Sequence, residues 1–187
     1  MKLGVFVSAT WACAMLAVTP VLHAEAPVAP AAHGTLQAAF SPWDNIEALI
    51  AEAIAGANRQ ILVQAYLLTS KNIASMLISA QRRGVEVRVL ADAEQHAKSS
   101  SSMVPELAAA GIPVWLETKY QNAHNKIIVI DPATPDATVI TGSYNFTWTA
   151  QHGNAENVLI VRRNPELVSR YVLNWERHRD NATPYRK

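Results

Sequence analysis

The sequence predicts an α/β domain, a mixed β-sheet flanked by helices, and three observations carry that prediction. Apolar strand-like runs alternate with helix-period segments through the first half of the chain. Three strand-like runs then follow with no helix pattern between them, at 125–131, 137–143 and 156–163. An amphipathic segment with a clear start signal, 164–180, closes the pattern. Strands separated by helices pair in parallel, whereas strands joined by short turns pair antiparallel, so one sheet must contain both kinds of pairing.

Each element has a local cause. In 44–58, Ile46, Leu49, Ile50, Ala53, Ile54 and Ala57 recur at one-face helical spacing. Asp44 with Glu47 has the form of a capping box there, and Gly56 lies near the stop. QILVQAYLL (60–68) is a strongly apolar strand. In 70–84, Ile73, Met76, Leu77 and Ala80 share a helix face, Ser70 caps it, Arg82 and Arg83 occupy the last turn and Gly84 terminates it. Val85, Val87 and Val89 alternate as a strand, and a short helix around 104–111 leads into the strand PVWLET at 113–118. In the final helix Asn164 is the cap, Pro165 takes the first position, and Leu167, Val168, Tyr171, Val172 and Trp175 form the buried stripe.

The N-terminus reads as processing signal rather than fold. Lys2 precedes an apolar run, and LHA before Glu25 is a small-residue cleavage site, so residues 1–24 have the form of a signal peptide directing export to the periplasm or beyond the cell. The run falls short of the ~20 apolar residues that a spanning helix requires, so no stable membrane span is expected after its removal. Residues 25–35, rich in Ala and Pro, read as a flexible leader, which leaves 36–187 as one catalytic domain. Removing Lys2 turns 16 Lys and Arg against 15 Asp and Glu into an even balance. Affinity for phosphate or nucleic acid must then come from a local basic cluster and not from the field of the whole chain. Cys13, the one cysteine, leaves with the signal, which excludes a disulfide framework and a Cys-ligated metal in the mature chain.

One stretch sets polar groups among strand-like runs: AHNKIIVIDPATPDATVITGSYNFTWTAQHGNAENVLIV. In an extended strand His124 and Lys126 point the same way and so stand side by side. Ser143 and Asn145 share a direction for the same reason. Histidine near neutral pH can attack as a nucleophile or donate as an acid, and lysine can neutralise a nearby negative charge.

HNKIIVID carries the HxKxxxxD signature, and GSYN with the later NAEN supplies the accompanying Gly-Ser-x-Asn and Glu. On these residues the chain resembles the phospholipase D superfamily over most of 36–178, and within it the short secreted bacterial endonucleases that carry the motif once. The resemblance implies a phospholipase D/nuclease-like fold and a metal-independent phosphodiesterase with no cofactor. It would be an endonuclease acting on DNA, with RNA left open, through a phosphohistidine. The implied catalytic residues are His124, Lys126, Asn145 and Glu156, with Asp131, Gly142 and Ser143 in support. Glu156 would orient an imidazole, Ser143 and Asn145 would hydrogen-bond phosphate, and Gly142 would let the backbone approach it. The family reaction needs two histidines, so a single-motif chain implies a homodimer with His124 of both subunits at a two-fold axis. The ten residues PATPDATVIT between Asp131 and Gly142 exceed the family's usual spacing and read as a longer turn.

Two other readings fit less of this pattern: a phospholipid hydrolase of the same superfamily, and a non-catalytic nucleic-acid-binding module on the same scaffold. A metal site from His124, Asp131 and Glu156 is disfavoured because Asp131 points away from His124 on a strand. Elsewhere, His152 reads as a loop or helix-end residue, and His33, His96 and His178 as surface residues. Lys98 with the serines at 99–102 reads as a flexible loop, and Trp175 as core. Trp148 divides evenly between core and base stacking. Arg162, Arg163, Arg170 and Arg177 form either a phosphate track or a solvated face.

Overall fold

A computed structural model describes residues 33–186, so the segment expected to be a signal peptide and most of the expected leader lie outside the described residues. In chain order the elements are β1 (Thr35–Ser41), α1 (Ile46–Ala55), β2 (Gln60–Ala65), α2 (Lys71–Arg82), β3 (Glu86–Asp92), α3 (Ala93–Lys98), α4 (Val104–Ala109), β4 (Val114–Glu117), β5 (Lys126–Ile130), β6 (Thr138–Gly142), α5 (Trp148–His152), β7 (Glu156–Arg162), α6 (Pro165–Asp180) and β8 (Thr183–Pro184).

The strands form one mixed sheet in the order β1-β7-β6-β5-β2-β3-β4-β8. β2, β3 and β4, joined through helices, pair in parallel, and β5, β6 and β7, joined without long crossovers, pair antiparallel. Side-chain alternation gives each face its own core. Ile61, Val63, Ile128, Ile130, Ile140, Val158 and Ile160 pack with Ile46, Ile50 and Ile54 of α1 and with Ile73 and Leu77 of α2. Leu62, Leu90, Ile127, Val129 and Val139 face the other way, against Val168 and Trp175 of α6. The Trp175 indole N–H donates to the Val63 carbonyl at 2.9 Å, tying that helix to the centre of the sheet.

Local differences from the sequence reading have identifiable physical causes. Asn45, not Asp44, caps α1 through the N–H of Ala48; the Asp44 carboxylate accepts instead from Phe40 N–H, and Glu47 bonds Ser70, so the capping box does not form. The Arg83 side chain donates to the carbonyls of Ile54 and Ala55 at the end of α1, while its backbone N–H caps its own helix on Ser79 and Ala80. β1, beginning at Thr35, was not foreseen because only Ala39 and Ser41 in it are buried. Lys98 belongs to the short helix α3, where it pairs with Glu94, and Ser102 bonds His96. Neither His96 nor His178 is a plain surface residue. His96 also packs edge-on against Tyr185, while His178 bonds the buried carboxylate of Glu117, which Gln64 reaches from β2 at 3.2 Å.

Candidate active site

Strand direction gathers the candidate residues at one edge of the sheet. Lys126, first in β5, lies opposite Ala65, last in β2; Gly142 ends β6, and Glu156 begins β7 opposite Ser41 at the end of β1. This is the edge at the carboxyl ends of the parallel strands, where α/β sheets build their sites. Lys126, Gly142 and Glu156 alternate in phase with Ile128, Ile140 and Val158, so all three share the face packed on α1 and α2.

His124 precedes β5 and is exposed, while Lys126 two residues later is buried. Both side chains meet one ring, that of Tyr66. The Lys126 ammonium donates to the His124 carbonyl at 2.9 Å. Tyr66, directly after β2, binds both: its ring meets the His124 imidazole edge-on with centroids 4.3 Å apart and lies 4.7 Å beneath the Lys126 ammonium. Burial lowers the Lys126 pKa from 10.5 to about 8, and the negative charge of Glu156 opposes that fall. The loop before His124 is held by a buried carboxylate, since Asp92 accepts from Ala123 N–H at 2.7 Å. Sequence reading missed Tyr66 and Asp92. Each ends or follows an apolar strand, yet nothing local shows that a segment about 30 to 60 residues later docks on it.

Across the edge, the Ser143 hydroxyl accepts from the backbone and side-chain N–H of Asn157 at 3.0 and 3.2 Å. The Asn145 side-chain oxygen is buried without a hydrogen bond, as is the hydroxyl of fully buried Tyr144. Burial, then the charges of Glu47 and Glu156, push the Tyr144 phenol up and keep it protonated. Gly142 is required by the fold itself: a Cβ there would sit 2.2 Å from the Asn157 carbonyl oxygen. Glu156 bonds Asn154 at 2.9 Å, and no hydrogen bond joins it to the His124 imidazole among the described residues. The chain thus places Glu156 within electrostatic reach of Lys126 but does not orient its own His124 with it.

Asp131 does not join this edge. β5 carries it to the far end, about 17 Å along an extended strand. There its carboxylate accepts from the backbone N–H of Asn58, Arg59 and Gln60 at 2.8, 2.7 and 2.9 Å. The long turn after it lies at that end too, and so does Arg162, which bonds Gln37; the four arginines do not form one track. Trp148 is exposed on α5 with its ring 4.6 Å from that of His152, at the helix end. Among the described residues no group of three His, Cys, Asp or Glu is placed to hold a metal, and no helix is long and apolar enough to cross a membrane.

Comparison with known proteins places this geometry in a family. Residues 50–178 match the family described as cardiolipin synthase, PLD-like domain. A phospholipase D of Rickettsia prowazekii (strain Madrid E) is 40% identical over 136 residues, 73% of this chain and 63% of that protein. A mitochondrial cardiolipin hydrolase of Xenopus laevis is 33% identical over 122 residues, 65% of this chain and 55% of that protein. The chain therefore spans less than two thirds of the length of these relatives. Among solved structures, Nuc from Salmonella typhimurium, a phospholipase D family member, superposes with a TM-score of 0.77 at 29% identity, covering 83% of this chain and all of that one. The chain belongs to the phospholipase D-like family.

Proposed function

We propose that this chain is an exported, metal-independent phosphodiesterase that cuts DNA through a phosphohistidine, with each active site completed by a second copy. The observation that carries the reading is the convergence of His124, Lys126, Ser143, Asn145 and Glu156, from three separate segments of the chain, on one edge of a sheet whose fold extends over the whole of Nuc. One His124 imidazole attacks phosphorus as the P–O bond to the leaving oxygen breaks. The partner's His124, protonated, gives its proton to that oxygen, and then removes a proton from the water that hydrolyses the phosphohistidine. Lys126 neutralises the phosphoryl oxygens, and the Asn145 and Ser143 side chains complete the cradle. Glu156, which leaves its own His124 unheld, is free to orient an imidazole arriving from the partner.

A second reading, phospholipid hydrolysis, is favoured by the relatives that are phospholipase D and cardiolipin hydrolase. Plasmid cleavage by residues 25–187 in excess EDTA, beside His124→Asn, tests the first. Nicking by the native chain that falls at least ~10³-fold in the variant is the expected result. Cleavage restored only by added divalent metal overturns the mechanism, and turnover of phospholipid vesicles with none of DNA transfers the chemistry to lipid.

A further inference from the structure

Beside the candidate site, on the opposite face of the sheet from Lys126, α6 leaves a groove of about 390 Å³ over β5 and β6. That volume lies within the range of roughly 300–1,000 Å³ in which small-ligand sites occur. Its floor is the cross-strand pair Ile127 and Thr141; Asn125, next in sequence to His124, forms its near end. The wall is one face of α6, made by Leu167, Arg170, Tyr171 and Asn174 at positions i, i+3, i+4 and i+7. Lys126 and Asn125 thus straddle the start of β5, the first turned toward the candidate site and the second into the groove.

The chemistry of the lining selects the occupant. Two amides, a hydroxyl, a phenol and a guanidinium face the space beside the apolar side chains of Ile127 and Leu167, and no carboxylate lines it. An acyl chain laid there would strip these groups of water and return no hydrogen bonds. Arg170 is exposed and makes no ion pair or hydrogen bond among the described residues, not even with Glu166 a turn before it. Arg83, Arg88, Arg162 and Arg179 are engaged within the chain, whereas among the described residues Arg170, like Arg82, is not; what sets Arg170 apart is its place over the groove. A fork of donors with no partner, above a polar groove, is a site for a phosphate group, and the neighbouring Tyr171 ring offers a surface for a base.

We infer that this groove binds the nucleic-acid strand flanking the scissile phosphodiester, with Arg170 on a neighbouring phosphate and Asn125 and Asn174 on the sugar or base. The inference rests on the nuclease reading but fails separately from it. The test compares two substrates, a single-stranded oligodeoxynucleotide and bis(p-nitrophenyl) phosphate, which has no flanking nucleotides. Arg170→Ala is set beside Arg82→Ala, an exposed change on the other face of the sheet. The expected result is a roughly tenfold fall in the ratio of kcat/KM for oligonucleotide to that for the small diester in Arg170→Ala, carried by KM. Arg82→Ala leaves the ratio unchanged. Equal ratios in the two variants overturn the groove while leaving the phosphodiesterase intact. If the native chain cleaves neither substrate, oligonucleotide binding to His124→Asn still decides: Arg170→Ala should reduce the slope of log K against log salt by about one contact. An unchanged slope, or an effect of Arg170→Ala confined to anionic lipid vesicles, overturns the assignment.

Discussion

The two ends of β5 carry two halves of one sequence signature and do opposite things. At one end Asp131 is buried, and its carboxylate is satisfied by three backbone N–H groups that fix the path from α1 into β2. At the other, His124 is exposed with no hydrogen bond to its ring among the described residues, Lys126 is buried with a lowered pKa, and Asn145 holds an oxygen without a donor. Saturated polar groups stabilise a fold; unsaturated ones leave bonds to be made with something else. On the proposed function, HxKxxxxD is a catalytic motif at its start, while Asp131 at its end is held structurally.

That contrast predicts a clean separation of effects. His124→Asn should abolish cleavage while costing no more than about 1 kcal/mol of stability, because an exposed ring without hydrogen bonds loses only its edge-on contact with Tyr66. Asp131→Ala should cost roughly 3 kcal/mol or more, since three donors lose a charged acceptor and alanine does not favour the positive φ of 48°. The folded fraction should nevertheless keep native kcat. Urea denaturation with plasmid cleavage on the same samples checks both, and a folded Asp131→Ala protein with its kcat collapsed would erase the distinction.

A smaller effect sharpens the catalytic end. Burial lowers the Lys126 pKa to about 8, so its charge is present below that pH and lost above it. The kcat/KM of the native chain should therefore fall as pH rises through about 8. Stability moves the other way: a lysine whose folded pKa is lowered disfavours the folded state while charged, and that penalty fades from about 8 up to 10.5. Lys126→Met should accordingly lose cleavage yet melt no lower than the native chain at neutral pH. A variant that melts well below it would make Lys126 a structural residue like Asp131.

How much of this the sequence showed depended on whether the cause was local. Val87 and Val89 of β3, and the Ile46, Ile50 and Ile54 stripe of α1, follow from periodicity and are fully buried as that periodicity requires. The site residues were legible because HNKIIVID, GSYN and NAEN resemble a family motif; alternation added only that His124 and Lys126, and Ser143 and Asn145, share directions. Tyr66, Asp92 and the Glu117–His178 pair were not, since each acts through a partner 31 to 61 residues away and carries no neighbouring signal. Asp131 shows the converse: a motif names a residue without saying which end of the strand it serves. For Gly142 the structure adds a reason that the sequence did not show, since its lack of a side chain is demanded by the Asn157 carbonyl on the next strand.

The central claim is that the edge carrying His124, Lys126 and Glu156 is half of an active site. Mixing native chain with His124→Asn at fixed total concentration, allowing subunits to exchange, and measuring cleavage against composition tests it most directly. A site needing His124 from both copies predicts activity falling with the square of the native fraction, to about one quarter at equal proportions. A straight-line decline to one half would show that each chain works alone and would contradict the account.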